Sequence, residues 1–451
     1  MNQADIVQTA PEDGALEALK DRAALVLEEA RRQGADACEV AISRNDGLSA
    51  TVRLGDVETL EFHRDRGFSV TVWIGQRKGA ASSSDDSAQS LRETVAAAMA
   101  IARHTGEDPS SGIADASLLA SDLPDLDLCH PWPMSVAQAV DLAGRAEAAG
   151  RADARIINSE GATVSTGCSL RVYGNSNGFL AGYPGSFHSL SCVLVAGADG
   201  AMQRDYWYDG SRVPGRLMAP EDIGERAAAR ACARLGASRP RTGTVPVMFS
   251  PEVASGLLSH FVGAISGGAL YRKSSFLLDS LGEPLFPAWC DIHEAPRMPS
   301  WNGSAPFDAD GLATRDNQFI SAGVLKSYAL GLYASRRLSA QPTGNGGGVR
   351  NLCISDSGES QQQLLKKMGN GVLVTEVMGQ GVNMVTGDYS RGAAGYRVEN
   401  GEITRPLEEF TIAGNLKDMF AGLQGAGTDV DTRGNVRCGS LLLAPMKVAG
   451  D

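Results

Sequence analysis

Apolar and polar positions alternate with two different periods along this chain, and the period changes mark its elements. From residue 14 to residue 33 Leu and Ala recur at helical spacing, and Gly34 follows as a stop. The period then drops to two over Glu39–Ser43, Thr51–Leu54, Glu58–Phe62, Gly67–Trp73 and Gly79–Ala81, with turns expected at Gly55-Asp56, Asp65-Arg66-Gly67 and Gly75-Gln76. Ser87–Arg103 is Ala-rich behind the polar Asp85-Asp86-Ser87 and predicts a helix laid on that meander. After an acidic, Pro-containing stretch over Ala114–Pro133 that reads as a linker, the order repeats. A helix over Ser135–Ala149 precedes strands at Glu160–Thr166, Leu170–Tyr173, Phe179–Tyr183, His188–Ala196 and Ala201–Trp207, and a helix over Glu221–Leu235 closes the series. No residue-level repeat supports a duplication. Beyond Arg239-Pro240-Arg241 a strand at Val245–Phe249 runs into a helix opened by Ser250 as cap and Pro251 in the first turn. From Leu285 onward short strands and glycine turns dominate, with helices near Leu330–Leu338 and Glu359–Met368.

This pattern predicts an α+β fold: an N-terminal region of helices on antiparallel sheet, followed by a strand-rich C-terminal domain. The expected units are residues 1–113, 114–238 and 239–451, the middle one strand-rich and closed by a helix. The 53 glycines, densest in the last third, agree with tight turns there.

Charge and composition narrow the function. A net charge of -12 argues against general binding to nucleic acid, which needs clustered Lys and Arg. The start, Met1-Asn2-Gln3-Ala4-Asp5, is polar, and no apolar run reaches the roughly 20 residues of a membrane span. The eight cysteines form no C-x-x-C pair and read as reduced, mostly buried thiols. Cytoplasm is the expected compartment.

Six histidines are scattered through the chain, and none stands near a second at metal-ligand spacing. His293-Glu294 starts like a zinc-protease helix, but Pro296 breaks that helix and Arg297 stands where a second His is needed. Gly174-Asn175-Ser176-Asn177-Gly178 has the G-x-S-x-G form, yet the extended Phe179–Pro184 follows it where a nucleophile elbow needs a helix, so a hairpin loop is the better reading. Gly344-Asn345-Gly346-Gly347-Gly348 lacks the Lys and the following helix of a phosphate loop and reads as a mobile or backbone-contacting loop. Gly387-Asp388-Tyr389-Ser390-Arg391-Gly392 sets a charged pair between glycines. It is either a place where backbone approaches a ligand or partner, or a bulge feeding a hairpin at Asn400-Gly401.

Long segments of the chain resemble the TldD/PmbA family, once called modulators of DNA gyrase, and in particular its PmbA branch, also called TldE. They are Tyr271–Gly282, Thr375–Val382, Gly387–Tyr396, Ala413–Met419, Cys438-Gly439-Ser440 and the early Asp36–Val40 strand. The resemblance implies a cytoplasmic TldD–TldE heterodimer that cleaves unfolded peptides, associated with maturing peptide antibiotics and degrading antitoxins. In that family the TldD partner carries zinc on H-E-x-x-x-H plus a later cysteine. Laid on this sequence, His260 keeps the first position, Phe261 replaces the glutamate and Ile265 replaces the second histidine, while Cys438 is a loose match to the third ligand.

A general base contributes about 10²- to 10⁴-fold to rate, and Phe261 cannot accept a proton. The resemblance therefore implies a non-catalytic subunit, with no metal or cofactor in this chain and zinc in the TldD partner, and it leaves open whether the chain forms a homodimer when that partner is absent. His260 is expected to be a satisfied core or interface histidine. Gly344, Gly346, Gly387, Asp388, Tyr389, Ser390, Arg391 and Gly392 are the candidate peptide wall or subunit contact, holding extended peptide by main-chain hydrogen bonds. Two rivals remain: a self-sufficient hydrolase using Ser176 or another metal site, and a non-enzymatic binding protein acting on gyrase or a regulator.

Overall fold

The computed structural model describes residues 6–7, 11–198 and 200–451. A short β1 (Ile6–Val7) precedes α1 (Ala15–Arg32), β2 (Ala37–Arg53), β3 (Asp56–Ile74), β4 (Arg77–Ser83) and α2 (Ala88–His104). Then follow β5 (Met134–Ser135), α3 (Val136–Arg151), β6 (Ile156–Asn175), β7 (Leu180–Ala198), β8 (Ala201–Ser211) and α4 (Pro220–Ala233). The helix–three-strand–helix order thus occurs twice, and both sets of strands belong to one antiparallel sheet, β4-β3-β2-β6-β7-β8. The halves meet at the β2–β6 pair, which runs from Glu39↔Asn175 to Val52↔Ala162. Near its middle Gly47 faces Gly167. A Cβ at Gly47 would lie 2.8 Å from the Thr166 carbonyl oxygen, so only glycine allows this approach.

These strands are longer than their polar punctuation suggests. The turn expected at Asp65-Arg66-Gly67 is interior to β3, and the breaks expected after Thr166 and after Tyr183 are interior to β6 and β7. Over these stretches pairing with a long neighbour satisfies the backbone and overrides local turn propensity. The turn at Gly55 does form: Leu54 and Gly55 both have positive φ, and the buried Glu147 carboxylate accepts both their amide N–H groups.

The strands bury alternate residues beneath the helices. Val40, Ile42, Val70 and Val72 pack under α1 and α2, and Leu48, Ala50, Val164 and Leu194 under α3 and α4. The opposite face is largely polar, with Ser49 bonded to Ser165 and Thr51 to Thr163 across β2 and β6. Ala114–Pro133 contains one short 3₁₀ turn and no longer helix or strand, yet it is packed rather than free. Leu126 and Leu128 are buried, and the Leu128 carbonyl accepts from the Ser186 amide.

The C-terminal part opens with β9 (Gly243–Phe249), α5 (Pro251–Ile265), α6 (Gly267–Tyr271), β10 (Ile292–Glu294), β11 (Asn317–Ser321), β12 (Val324–Leu325), α7 (Leu332–Arg337) and β13 (Leu352–Ile354). It continues through α8 (Gln361–Met368), β14 (Gly371–Met378), β15 (Asp388–Glu399), β16 (Glu402–Asn415), α9 (Leu416–Ala421), β17 (Leu423–Ala426), β18 (Val436–Arg437) and β19 (Leu441–Ala449). A six-stranded mixed sheet, β16-β15-β14-β9-β19-β17, and a five-stranded sheet, β12-β11-β10-β13-β18, contribute to one core. Helix α5 lies in it, with Val253, Ala254, Leu257, Leu258, Phe261, Ala264 and Ile265 buried against residues of both sheets. The fold is α+β. Among the described residues no helix is long and apolar enough to cross a membrane.

Candidate functional site

Helix α5 starts where Pro251 presets the first turn, but Ser250 does not cap it. Its side chain makes no cap bond and its hydroxyl is buried without a partner, while its backbone N–H donates to the Val374 carbonyl. Down the helix the three degenerate positions diverge. Phe261 is 0% exposed and meets Phe286 and Phe420 edge-on, at centroid distances of 5.5 and 6.0 Å. Ile265, the last residue of α5, is also 0% exposed. His260 is half-buried and turns the other way, its ring 6.1 Å from that of Tyr389 in an edge contact. Its imidazole has no hydrogen-bond partner among the described residues, so it is packed rather than satisfied. Burial lowers its pKa, and the Arg391 guanidinium adds to that shift, so the ring stays neutral near pH 7.

Cys438 does not join this histidine. Its sulfur lies 3.8 Å from the carbonyl oxygen of Pro251, at the opposite end of α5 and about 13 Å along the axis from His260. Burial, reinforced by Asp431, Asp429 and Glu252, pushes the thiol well above its ordinary range and disfavours the thiolate a metal needs. Among the described residues no three His, Cys, Asp or Glu side chains group as a metal site. The donors around α5 do not fit a zinc centre: one imidazole faces a phenol ring, and the neighbouring ligand positions are filled by core hydrocarbon.

The Gly387–Gly392 segment lies at the start of β15, where His260 touches it through Tyr389. Its main chain is already paired on both sides. Asp388–Gly392 pair with β16, while Asn383 N–H donates to the Asp388 carbonyl, Ser390 N–H donates to Gly381, and Gly392 pairs with Met378 of β14. Added peptide finds no free backbone edge there. Asp388 and Ser390 remain exposed, and Tyr389 is buried with its hydroxyl pKa pushed up to about 12 by desolvation.

The Gly344–Gly348 loop is built differently and is tied down. Buried Glu294 accepts the Asn345 side-chain amide at 2.8 Å and the Arg350 backbone N–H at 2.6 Å, and Asn317 donates to it at 2.8 Å. Asp308 accepts the Gly346 N–H at 2.7 Å. Gly344 has positive φ, and a Cβ there would lie 2.7 Å from the Ala313 carbonyl oxygen. The two loops belong to different parts of the C-terminal structure.

The other motifs resolve simply. Gly174–Gly178 closes the β6–β7 hairpin, and the Ser176 hydroxyl accepts from the Cys38 amide. His188 is buried between the Thr166 hydroxyl and the His130 carbonyl, both at 2.8 Å. His293-Glu294 lies in β10 and not in a helix. Sequence reasoning missed Asp308, which accepts from the nearby Asp310 and Leu312 and the distant Gly346, and it read Glu294 only as part of a failed zinc motif, since its partners Asn317, Asn345 and Arg350 are distant in the chain. The one local signal was the helix-breaking Pro296 behind Glu294, which pointed away from chemistry.

Residues 38–102, 129–235 and 242–450 match, respectively, domain 1, the central domain and the C-terminal domain of the PmbA/TldA metallopeptidases. The metalloprotease PmbA of Escherichia coli O157:H7 is 48% identical over 416 residues, covering 92% of each chain. A PmbA homologue of Haemophilus influenzae is 44% identical, covering 96% of each. Among solved structures, a candidate modulator of DNA gyrase from Bacteroides thetaiotaomicron superposes with a TM-score of 0.91 at 26% identity, covering 96% of this chain and 99% of that one. TldE from Thermococcus kodakarensis, 19% identical, shares the fold with a TM-score of 0.83 over 95% of this chain and 100% of that one. By three consecutive domain matches and near-full-length identity, this chain belongs to the PmbA/TldA metallopeptidase family.

Proposed function

We propose that this chain is the non-catalytic, PmbA/TldE-type subunit of a cytoplasmic TldD–TldE metallopeptidase. A TldD-type partner supplies the zinc and the water-activating glutamate, and this chain completes the cleft that takes unfolded peptides. The observation that carries the reading is helix α5. The side chains at the glutamate and second-histidine positions, Phe261 and Ile265, are sealed in the aromatic and aliphatic core, and His260 faces Tyr389. A helix so used holds the two C-terminal sheets together and offers no glutamate or second imidazole beside His260 for water activation. The exposed Asp388 and Ser390 beside His260 offer side chains for contact with the partner subunit, and the Gly344–Gly348 loop braces Asp308 and Arg350, which line a cleft.

Co-expression with the TldD-type relative of the same genome tests this. Each chain alone should leave an unstructured peptide intact, and the pair should cleave it. Cleavage by this chain alone would overturn the proposal.

A further inference from the structure

A cleft of about 960 Å³ lies where the open face of the N-terminal sheet meets the C-terminal segment Phe307–Ala309 and Arg350. Its lining includes three guanidinium groups, none of them in an ion pair with a described carboxylate. Arg66 and Arg171 are exposed and make neither an ion pair nor a side-chain hydrogen bond to a described residue. The Arg350 guanidinium donates to the carbonyls of Gly346 and Gly348, while its backbone N–H donates to the buried Glu294, whose carboxylate feels the Arg350 charge. The one carboxylate in the lining, Asp308, is engaged with its own surroundings, accepting N–H bonds from Asp310, Leu312 and Gly346. In a chain of net charge -12, this is a local excess of positive charge set in a concave, low-dielectric wall, which concentrates the field on an anion.

The floor narrows the class of anion. Ser43, Asn45, Ser69 and Ser82 come from four-stranded antiparallel sheet (β2, β3 and β4, beside β6) and present hydroxyl and amide groups that both donate and accept, as an extended main chain requires. The aromatic rings at the cleft offer no stacking platform: Phe307 is already packed edge-on against Phe179 at 5.2 Å and Tyr183 at 5.4 Å. Single-stranded nucleic acid needs such free ring faces. We infer that this cleft binds an acidic segment of an extended peptide, its carboxylates bridged by Arg66, Arg171 and Arg350. The inference rests on the peptide-handling role proposed above and assigns it a substrate chemistry and a place.

The test uses the purified full chain alone and a short fluorescein-labelled peptide of alternating Glu and Gly, with the Gln-for-Glu peptide as control, followed by anisotropy. The Glu peptide should bind about tenfold more tightly, the scale expected for two exposed charge pairs, and the preference should fade as salt is raised. R66Q/R171Q should abolish the preference, R66K/R171K should retain most of it, and R66E/R171E should reverse it toward a Lys-containing peptide. All three variants should keep the parent's melting temperature, since neither side chain is bonded. Equal binding of the Glu and Gln peptides, an unchanged preference in R66Q/R171Q, or displacement by inorganic phosphate at the peptide's own concentration would overturn the inference. Because this binding is read without a partner, its failure is distinguishable from failure of the reconstituted pair to cleave.

Discussion

Restoring the metallopeptidase glutamate at Phe261 probes how far α5 is committed to packing. Phe261 is 0% exposed and meets Phe286 and Phe420, which themselves stack at 4.9 Å. Truncating a buried Phe removes about 3–5 kcal/mol. A carboxyl group placed in the same hydrocarbon, with no partner, adds about 3 kcal/mol or more, whether it stays ionised or takes up a proton. Phe261→Glu should therefore lose at least ~6 kcal/mol, comparable to the whole stability of many domains, ~5–15 kcal/mol. Phe261→Leu, which keeps most of the volume, should lose ~1.5 kcal/mol or less. His260→Ala forfeits a half-buried ring with one edge contact and should lose about 1 kcal/mol. Urea unfolding followed by far-UV circular dichroism orders the three variants, and elemental analysis reads their zinc. If Phe261→Glu unfolds within ~1 kcal/mol of the parent, or holds stoichiometric zinc, the assignment of this helix to the core is wrong.

Two further outcomes follow from the packing and the charges. On α4, a Cβ at Gly224 would lie 1.9 Å from the Ala146 carbonyl oxygen of α3 and 2.8 Å from the Gly150 nitrogen, so the helices must separate. Gly224→Ala should lose about 1–3 kcal/mol, whereas Gly144→Ala on α3, with nothing within 4 Å of the new methyl, should gain about 0.5–1 kcal/mol; thermal melts compare them. Burial, with the Asp310 carboxylate second, raises the Asp308 pKa from 3.8 to about 6. A raised acid favours the folded state only while protonated. Its contribution is complete below pH 3.8 and is lost as pH rises to about 6, a fall of about 3 kcal/mol. Asp308→Asn should remove that slope from the stability–pH profile, and an unchanged slope would contradict the assignment.

The helices were legible because a 3.6-residue period is local. The stretches read at 14–33, 87–103, 135–149 and 221–235 correspond to Ala15–Arg32, Ala88–His104, Val136–Arg151 and Pro220–Ala233. The strands were legible in kind but not in length. Asp65-Arg66-Gly67 looks like a turn, and it becomes mid-strand only because β2 pairs with it residue by residue. The small sheet β12-β11-β10-β13-β18 was hidden for a related reason, since Leu352 pairs with Val436 across 84 positions of chain, and nothing local announces that register. Ser250 showed the limit of cap signals: the Pro251 start was right, but the hydroxyl bonds nothing. At the site, that Phe261 and Ile265 carry hydrocarbon where the resemblance expects a glutamate and a histidine is readable from residue type alone. That Cys438 lies at the far end of α5, and that Arg66, Arg171 and Arg350 share one cleft, depends on tertiary packing.

The most direct measurement is zinc content and peptide cleavage, made together on the purified chain and on its complex with a TldD-type partner. The chain alone should carry well under one zinc per molecule and leave an unstructured peptide uncut, while the complex carries zinc and cleaves. Stoichiometric zinc with robust cleavage in the isolated chain would contradict a non-catalytic subunit.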